Sequence, residues 1–332
     1  MRPRVIMVLA LATIVAGGVL LVPAAYARLN ADATTGAAGP AGTVAVAKLA
    51  APPPPTLATA PVSVKVANGF FSWALLDRKT GKISGAPNLS ATNSTESMIK
   101  AWLVSDYLRR LGDKEPSATK LKQATNAIIN SDDNAAQSLF QAGGGKPVID
   151  RLVQICGLTD TKPVIPAGSN TVWWSYTKIS AQDAVRMGEC IKNGTAAGPK
   201  WTPWVLDQMT KVRGTTAAKD QQLTTGGGRW GIIDGLPPEI ADQGPIAIKN
   251  GWTMIYADGL WHVNCLAVTD NWVLAVLLRY PQKQGLDYGA NVCSSVATQL
   301  VTTQPGAALK VPVPISTKPA KPAYPANPAG AS

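Results

Sequence analysis

Hydrophobic and polar positions divide the 332-residue chain into four stretches. An apolar run from Val5 to Val22 follows Arg2 and Arg4 and leads to Ala25-Tyr26-Ala27. From Arg28 to about Pro61 the composition collapses to Ala, Pro, Gly, Thr and Val, with Pro52 through Pro55 consecutive. Such a stretch buries too little apolar surface to fold, and it predicts an extended spacer over 28–61. Residues 62–303 carry the periodic patterns of a folded domain. Residues 304–332 return to Pro, Ala and Lys, which predicts a disordered tail.

Within the folded stretch, Phe71 to Leu76 is strand-like. Asp77-Arg78-Lys79-Thr80-Gly81 reads as a turn and Lys82-Ile83-Ser84 as the returning arm of a hairpin. Thr95 to Leu111 is helix-compatible, with Met98, Trp102, Leu108 and Leu111 for its buried face. Ala118–Asn130 places Leu121, Ala124 and Ile128 at helical spacing. Further helices are expected over Asn134–Ala142, Pro147–Cys156, Ala181–Asn193 and Pro203–Val212, the last with proline at its first position. Ile246–Thr253, Trp261–Val268 and Trp272–Arg279 are β-rich, and Tyr288–Val301 is a closing helix. The fold class is therefore α+β: an antiparallel sheet formed by the N- and C-terminal segments, with flanking helices and an all-helical subdomain.

Composition narrows the setting. Residues 62–303 suffice for one sizeable core. The formal charge of +11 is dispersed, without the basic run or interleaved aromatics of a nucleic-acid binder. Anionic cell-wall polymers suit it better, and so does a plain solvated surface. Residues 1–27 read as a signal peptide, and the protein is expected to be secreted or associated with the cell envelope. The apolar run is barely long enough to span a bilayer, so an uncleaved anchor is the alternative. No cysteine lies near it, which argues against lipoprotein processing. Cys156, Cys190, Cys265 and Cys293 suit an oxidising compartment, with Cys265–Cys293 favoured as a disulfide over Cys156–Cys190, and four free thiols as the alternative. None has metal-ligand spacing, and one histidine, His262, cannot complete a zinc set, so neither metal nor cofactor is expected.

Candidate chemistry begins at Ser97-Met98-Ile99-Lys100. Three apart on a helix, the hydroxyl and the amine share a face. Serine needs a base to act as a nucleophile, and a lysine whose pKa is lowered by burial can serve. The same spacing recurs at Ser117/Lys120, where Ser117 reads as a helix cap, and at Ser175/Lys178, in a tryptophan-rich segment without helical period. Gly143-Gly144-Gly145-Lys146 is a loop, because Pro147 stands where a phosphate loop needs Ser or Thr. Ser131-Asp132-Asp133-Asn134 joins two helices, and Lys249-Asn250-Gly251-Trp252 sits in a strand.

With these three stretches in this order the chain resembles the penicillin-recognising serine hydrolases, class A β-lactamases and serine D,D-peptidases. Their motifs are Ser-x-x-Lys, Ser-x-Asn and Lys-(Thr/Ser)-Gly. The resemblance covers about Val62 to Thr302. It implies an acyl-Ser97 intermediate, with Lys100 helping to take the serine proton and Ser131 passing a proton to the leaving nitrogen. Lys249 would supply positive charge to Ser131 and to a substrate carboxylate. The N–H groups of Ser97 and Trp252 would form an oxyanion hole, and Asp133, Asn250, Gly251 and Trp252 would line the substrate. The implied partners are peptidoglycan stem peptides ending in D-alanine, or β-lactams that mimic them.

Departures from the family pattern qualify this reading. Asp133 replaces asparagine and could hold Lys100 charged, unless the loop shifts by one residue and Asn134 takes the place. Asn250 replaces a hydroxyl residue, with an amide still able to donate to a carboxylate. Trp252 is bulky beside the oxyanion position. Thr159 to Lys178 has Asp160 but no omega-loop glutamate, so an acyl-enzyme should persist and efficient lactam hydrolysis is not expected. The alternatives are a β-lactamase with another deacylation base and a non-catalytic wall-binding module. His262 reads as structural, and the ten tryptophans as packing residues or as platforms for sugars.

Overall fold

The computed structural model describes residues 69–302 together with 56, 57, 62, 64 and 66. The predicted signal, most of the predicted spacer and the predicted tail lie outside the described residues. The chain runs β1 (Thr56–Leu57), β2 (Phe70–Asp77), β3 (Ile83–Gly85), β4 (Thr92–Ser94), α1 (Lys100–Arg110), α2 (Ala118–Ile129), α3 (Asp133–Ala142), α4 (Lys146–Cys156) and β5 (Lys178–Ser180). It continues through α5 (Ala181–Lys192), α6 (Gly198–Thr210), α7 (Pro238–Ala241), β6 (Ala247–Ile248), β7 (Gly251–Ile255), β8 (Leu260–Val268), β9 (Trp272–Pro281), α8 (Gly285–Leu300) and β10 (Val301–Thr302).

The main sheet is antiparallel, in the order β3-β2-β9-β8, with β6 and β7 sharing the far edge against β8. β2 pairs with β9 along its whole length, from Phe70 opposite Arg279 to Asp77 opposite Trp272. Distant segments therefore close one sheet around a helical middle, as the apolar pattern predicts. Neighbouring side chains on a strand face opposite layers. Leu266 and Val268 of β8 press on Gly188 of α5, whereas Cys265 is bonded to Cys293 of α8. The sheet thus lies between α5 and α8. A second disulfide, Cys156–Cys190, ties α4 to α5, so both expected pairings form. α1 is buried on nearly every side, from Lys100 to Asp106 and at Leu108. Its buried carboxylate, Asp106, is neutralised by Arg109 and Arg151.

Differences from the predicted elements have local causes. The 95–111 run opens with a 3-10 turn, Glu96–Ile99, before α1 begins. α6 starts at Gly198 rather than Pro203, because Pro199 takes the early-turn position and Pro203 lies inside the helix. The apolar run at 246–253 is interrupted at Lys249-Asn250, although β6 and β7 keep one register against β8. β4 and β5 pair with each other and are too short to show a period. Thr56–Leu57, inside the predicted spacer, pair with Val301–Thr302.

Candidate active site

The start of α1, the α2–α3 junction and the break between β6 and β7 meet at Ser131. Lys100 Nζ donates to the Ser131 carbonyl (2.6 Å), to Ser131 Oγ (3.4 Å) and to Asp133 Oδ1 (2.5 Å). Lys249 Nζ donates to Ser131 Oγ (2.9 Å) and to Asn250 O (3.2 Å). Two lysines from remote parts of the chain thus converge on one hydroxyl. Both are 0% exposed, whereas the Asp133 side chain is 46% exposed and marks the open side of the cluster. Burial lowers the Lys100 pKa below the ordinary lysine value, with Asp133 opposing. Lys249 is driven well below it, first by burial and then by the charge of Lys100.

Ser97 is half-buried in the 3-10 turn, and its hydroxyl makes no hydrogen bond among the described residues. Lys100 is turned to Ser131 and Asp133 instead. Gly251 runs against the serine turn, where an added Cβ would fall 2.4 Å from Met98 N and 2.7 Å from Ser97 N. Only glycine permits that approach. The Lys249 N–H donates to Leu266 O at 3.1 Å. Hydrogen-bonded pairs alternate in an antiparallel ladder, so the Trp252 N–H, opposite Val263, lies on the free edge of β7. Among the described residues two non-glycines have positive φ, Glu96 (48°) and Ser131 (51°). Such conformations cost about 1–3 kcal/mol each and persist where their surroundings impose them.

Asn250 corrects an expectation. It is 1% exposed. Its Nδ2 donates to Gly228 O (2.9 Å) and Trp230 O (2.7 Å), and its Oδ1 accepts from Leu266 N (3.3 Å). Both amide hydrogens are used inside the protein, leaving none for a substrate carboxylate. The side chain thus ties the Leu266 N–H of β8, opposite the break in the edge strand, to two carbonyls of the 228–230 loop. Asp133, not Asn134, reaches Lys100, so the motif is read without a shift. Trp252 lies against Gly226 and Gly228, with its indole N–H on Gln221 Oε1 (2.9 Å) and its ring 5.3 Å from Trp230.

Other residues at the site are not marked by any motif. Trp174 is buried, donates to Gln137 Oε1 (2.9 Å) and places its ring 5.2 Å from Lys100 Nζ. The Trp173-Trp174 pair is visible in the sequence, but nothing there says which ring covers the lysine. Trp174 belongs to the 159–178 loop, closed by two backbone bonds between Lys162 and Lys178. The acid of that loop, Asp160, is engaged by Ser180 and Gln182. Glu96, next to Ser97, is 2% exposed, and its Oε1 has no hydrogen-bond partner. Burial raises its pKa from 4.5 to about 7. His262 bonds Ser94 Oγ (2.7 Å) and Asp258 Oδ2 (2.8 Å), but Ser94 is fully buried, so this Ser–His–Asp chain is structural. Among the described residues no group of three or more His, Cys, Asp or Glu is arranged to hold a metal.

Residues 113–222 match the model of the Beta-lactamase enzyme family. The predicted lipoprotein LppW of Mycobacterium tuberculosis is 29% identical over 202 residues, 58% of this chain and 57% of LppW. The chain thus spans little more than half the length of the curated relatives it matches. A beta-lactamase from Xanthomonas campestris pv. campestris superposes with a TM-score of 0.52 at 16% identity, covering 70% of this chain and 90% of that one. PBP-A gives 0.51 at 14% identity, over 71% and 90%. At such identities the likeness is one of fold. The chain's matched segment is thus similar to the Beta-lactamase enzyme family, and its fold is that of the β-lactamases and PBP-A.

Proposed function

We propose that the chain is an extracytoplasmic serine hydrolase that forms an acyl-Ser97 intermediate with β-lactams or D-alanyl peptide amides and releases it slowly. The observation that carries this reading is the convergence of Lys100 and Lys249 on Ser131 Oγ beside the Ser97 turn. Ser97 Oγ bonds to the carbonyl carbon, the C–N bond breaks, and the hydroxyl proton passes by way of Ser131 and its lysines to the leaving nitrogen. Water then cleaves the Ser97 ester, restoring the hydroxyl and freeing the acid. The N–H groups of Ser97 and Trp252 stabilise the developing oxyanion, each contributing about 2.7–4 kcal/mol. Slow release follows from the loop acid, since Asp160 is already held by Ser180 and Gln182. A PBP-A variant forms an acyl-enzyme with penicillin G, which supports the chemistry. The lipoprotein name of LppW and the apolar run at 5–22 support an envelope location, and the charge of +11 supports association with anionic wall polymers.

A second reading, a wall-binding module without turnover, is favoured by the Lys100–Asp133 ion pair and the unbonded Ser97 hydroxyl. Incubation with fluorescent penicillin, followed by intact mass beside Ser97→Ala, separates the two. A persistent adduct on the wild type alone supports the hydrolase. Rapid turnover without an adduct indicates a β-lactamase with another base, and no labelling at any dose, by the free acid or by its carboxyl ester, leaves the binding module.

A further inference from the structure

The cleft wall beside Ser97 has already used the donors that a substrate carboxylate would need. Where the third motif leads one to expect a hydroxyl, Asn250 is buried and gives both amide hydrogens to Gly228 O and Trp230 O. That orientation is fixed, because turning the side chain outward would leave those carbonyls and the Leu266 N–H without it. Further along β7, the Thr253 hydroxyl donates to Trp252 O (2.6 Å) and the Trp252 indole to Gln221. Lys249 is fully buried against Ser131 Oγ and Asn250 O, and burial beside Lys100 favours its neutral form. The exposed charge of the cluster is the Asp133 carboxylate, and a second acid, Glu96, lies behind Thr253. On the rim, Arg213 is exposed and bonded through Nε to Asn130 Oδ1 (2.7 Å). An ion pair in that setting contributes at most about 1 kcal/mol.

We propose that the site selects acyl donors with no free carboxylate beside the scissile bond: amides or esters whose neighbouring carboxyl group is amidated, esterified or absent. The inference rests on the acyl-Ser97 reading. A free carboxylate entering this cleft would shed water, find only the solvated Arg213 as a charged donor on the rim, and face Asp133. A neutral group loses little water and meets the indoles of Trp252 and Trp174. The covalent step is unaltered: the Ser97 O–C bond forms, the C–N or C–O bond to the leaving group breaks, and the serine proton departs with that group.

Benzylpenicillin and its methyl ester share one lactam and differ in this carboxylate. Time courses of adduct formation on the full chain, read by intact mass with Ser97→Ala as control, give the ratio of their rates. The ester is expected to react at least as fast as the free acid. A faster free acid overturns the selectivity and leaves the hydrolase standing. No adduct from either compound overturns the hydrolase reading, and this inference with it. Asp133→Asn should raise the rate of the free acid relative to the ester by about tenfold. An unchanged ratio in that variant counts against the proposal.

Discussion

Replacing Glu96 with glutamine should stabilise the protein above neutral pH and leave it unchanged in acid. The Glu96 carboxyl is 2% exposed, with Oε1 unpartnered. Burial moves its pKa from 4.5 to about 7, against the lowering effects of the Ser94 and Thr253 hydroxyls and of Lys178, and Asp133 adds to the rise. Lys100 and Tyr176 are the other titrating groups that sense its charge. The folded protein therefore keeps this proton up to about pH 7, whereas the unfolded chain releases it near 4.5. Stability is full below the lower value and falls as pH rises through the higher one. At 1.36 kcal/mol per pH unit the loss reaches about 3 kcal/mol. In a domain of this size each kcal/mol moves Tm by roughly 2–4 °C. Wild type should thus match Glu96→Gln near pH 4 and trail it by roughly 6–12 °C at pH 8. Calorimetry on both proteins from pH 4 to 8.5 tests this, since titrations that do not sense Glu96 are common to the pair and cancel in the difference. Parallel Tm curves, or a wild type that is the more stable at pH 8, would refute the argument.

Three further variants probe how the site is held. Gly251→Ala puts a methyl group on the backbone of Met98 and Ser97. It should cost at least about 1–3 kcal/mol by overpacking and abolish penicillin labelling, as read by denaturant titration and intact mass. Cys265→Ser with Cys293→Ser opens a loop of 28 residues and should cost about 3–4 kcal/mol in urea unfolding. Labelling should weaken with it, because this disulfide lies against Gly231, beside the Trp230 carbonyl that anchors Asn250. Asp183 is fully buried and accepts from Thr159 N, Asp160 N, Thr161 Oγ1 and Arg186. Asp183→Ala should cost about 3–5 kcal/mol and make the 159–178 loop the first site of limited proteolysis.

How much of this the sequence carries depends on the length over which a signal repeats. β2, β8 and β9 are long apolar runs, and helices such as α2 and α5 show a regular period, so the layers of the fold are legible. Strands of three residues, Thr92–Ser94 and Lys178–Ser180, contain no period to detect. The order of Ser97, Ser131 and Lys249 points to one cleft, but spacing says nothing about where a side chain turns. Ser97 and Lys100 share a face on an ideal helix, yet the serine lies in a 3-10 turn and the amine reaches Ser131 and Asp133. Asn250 is held inward by carbonyls of the remote 228–230 loop, and no local pattern in Lys-Asn-Gly reveals them. A glutamate beside Ser97 looks solvated until β7 and β5 close over it.

The directions of the lysine pKa values divide the work between the two amines. Both are buried and each repels a proton on the other, so the pair favours one charge over two. Asp133 adjoins Lys100 and stabilises the charge there, while that charge helps to hold Lys249 neutral. In the acyl-Ser97 reading proposed above, the substitution of asparagine by Asp133 therefore leaves a base: Lys249, bonded to Ser131 Oγ, takes the acceptor's part in place of Lys100. A neutral Lys249 can accept that proton but has no charge to offer a substrate carboxylate. On that reading the Ser-Asp-Asp and Lys-Asn-Gly departures act together: a cleft that carries its lysines inside, one of them paired with its own acid, lacks the anion recognition that a hydroxyl at position 250 would serve.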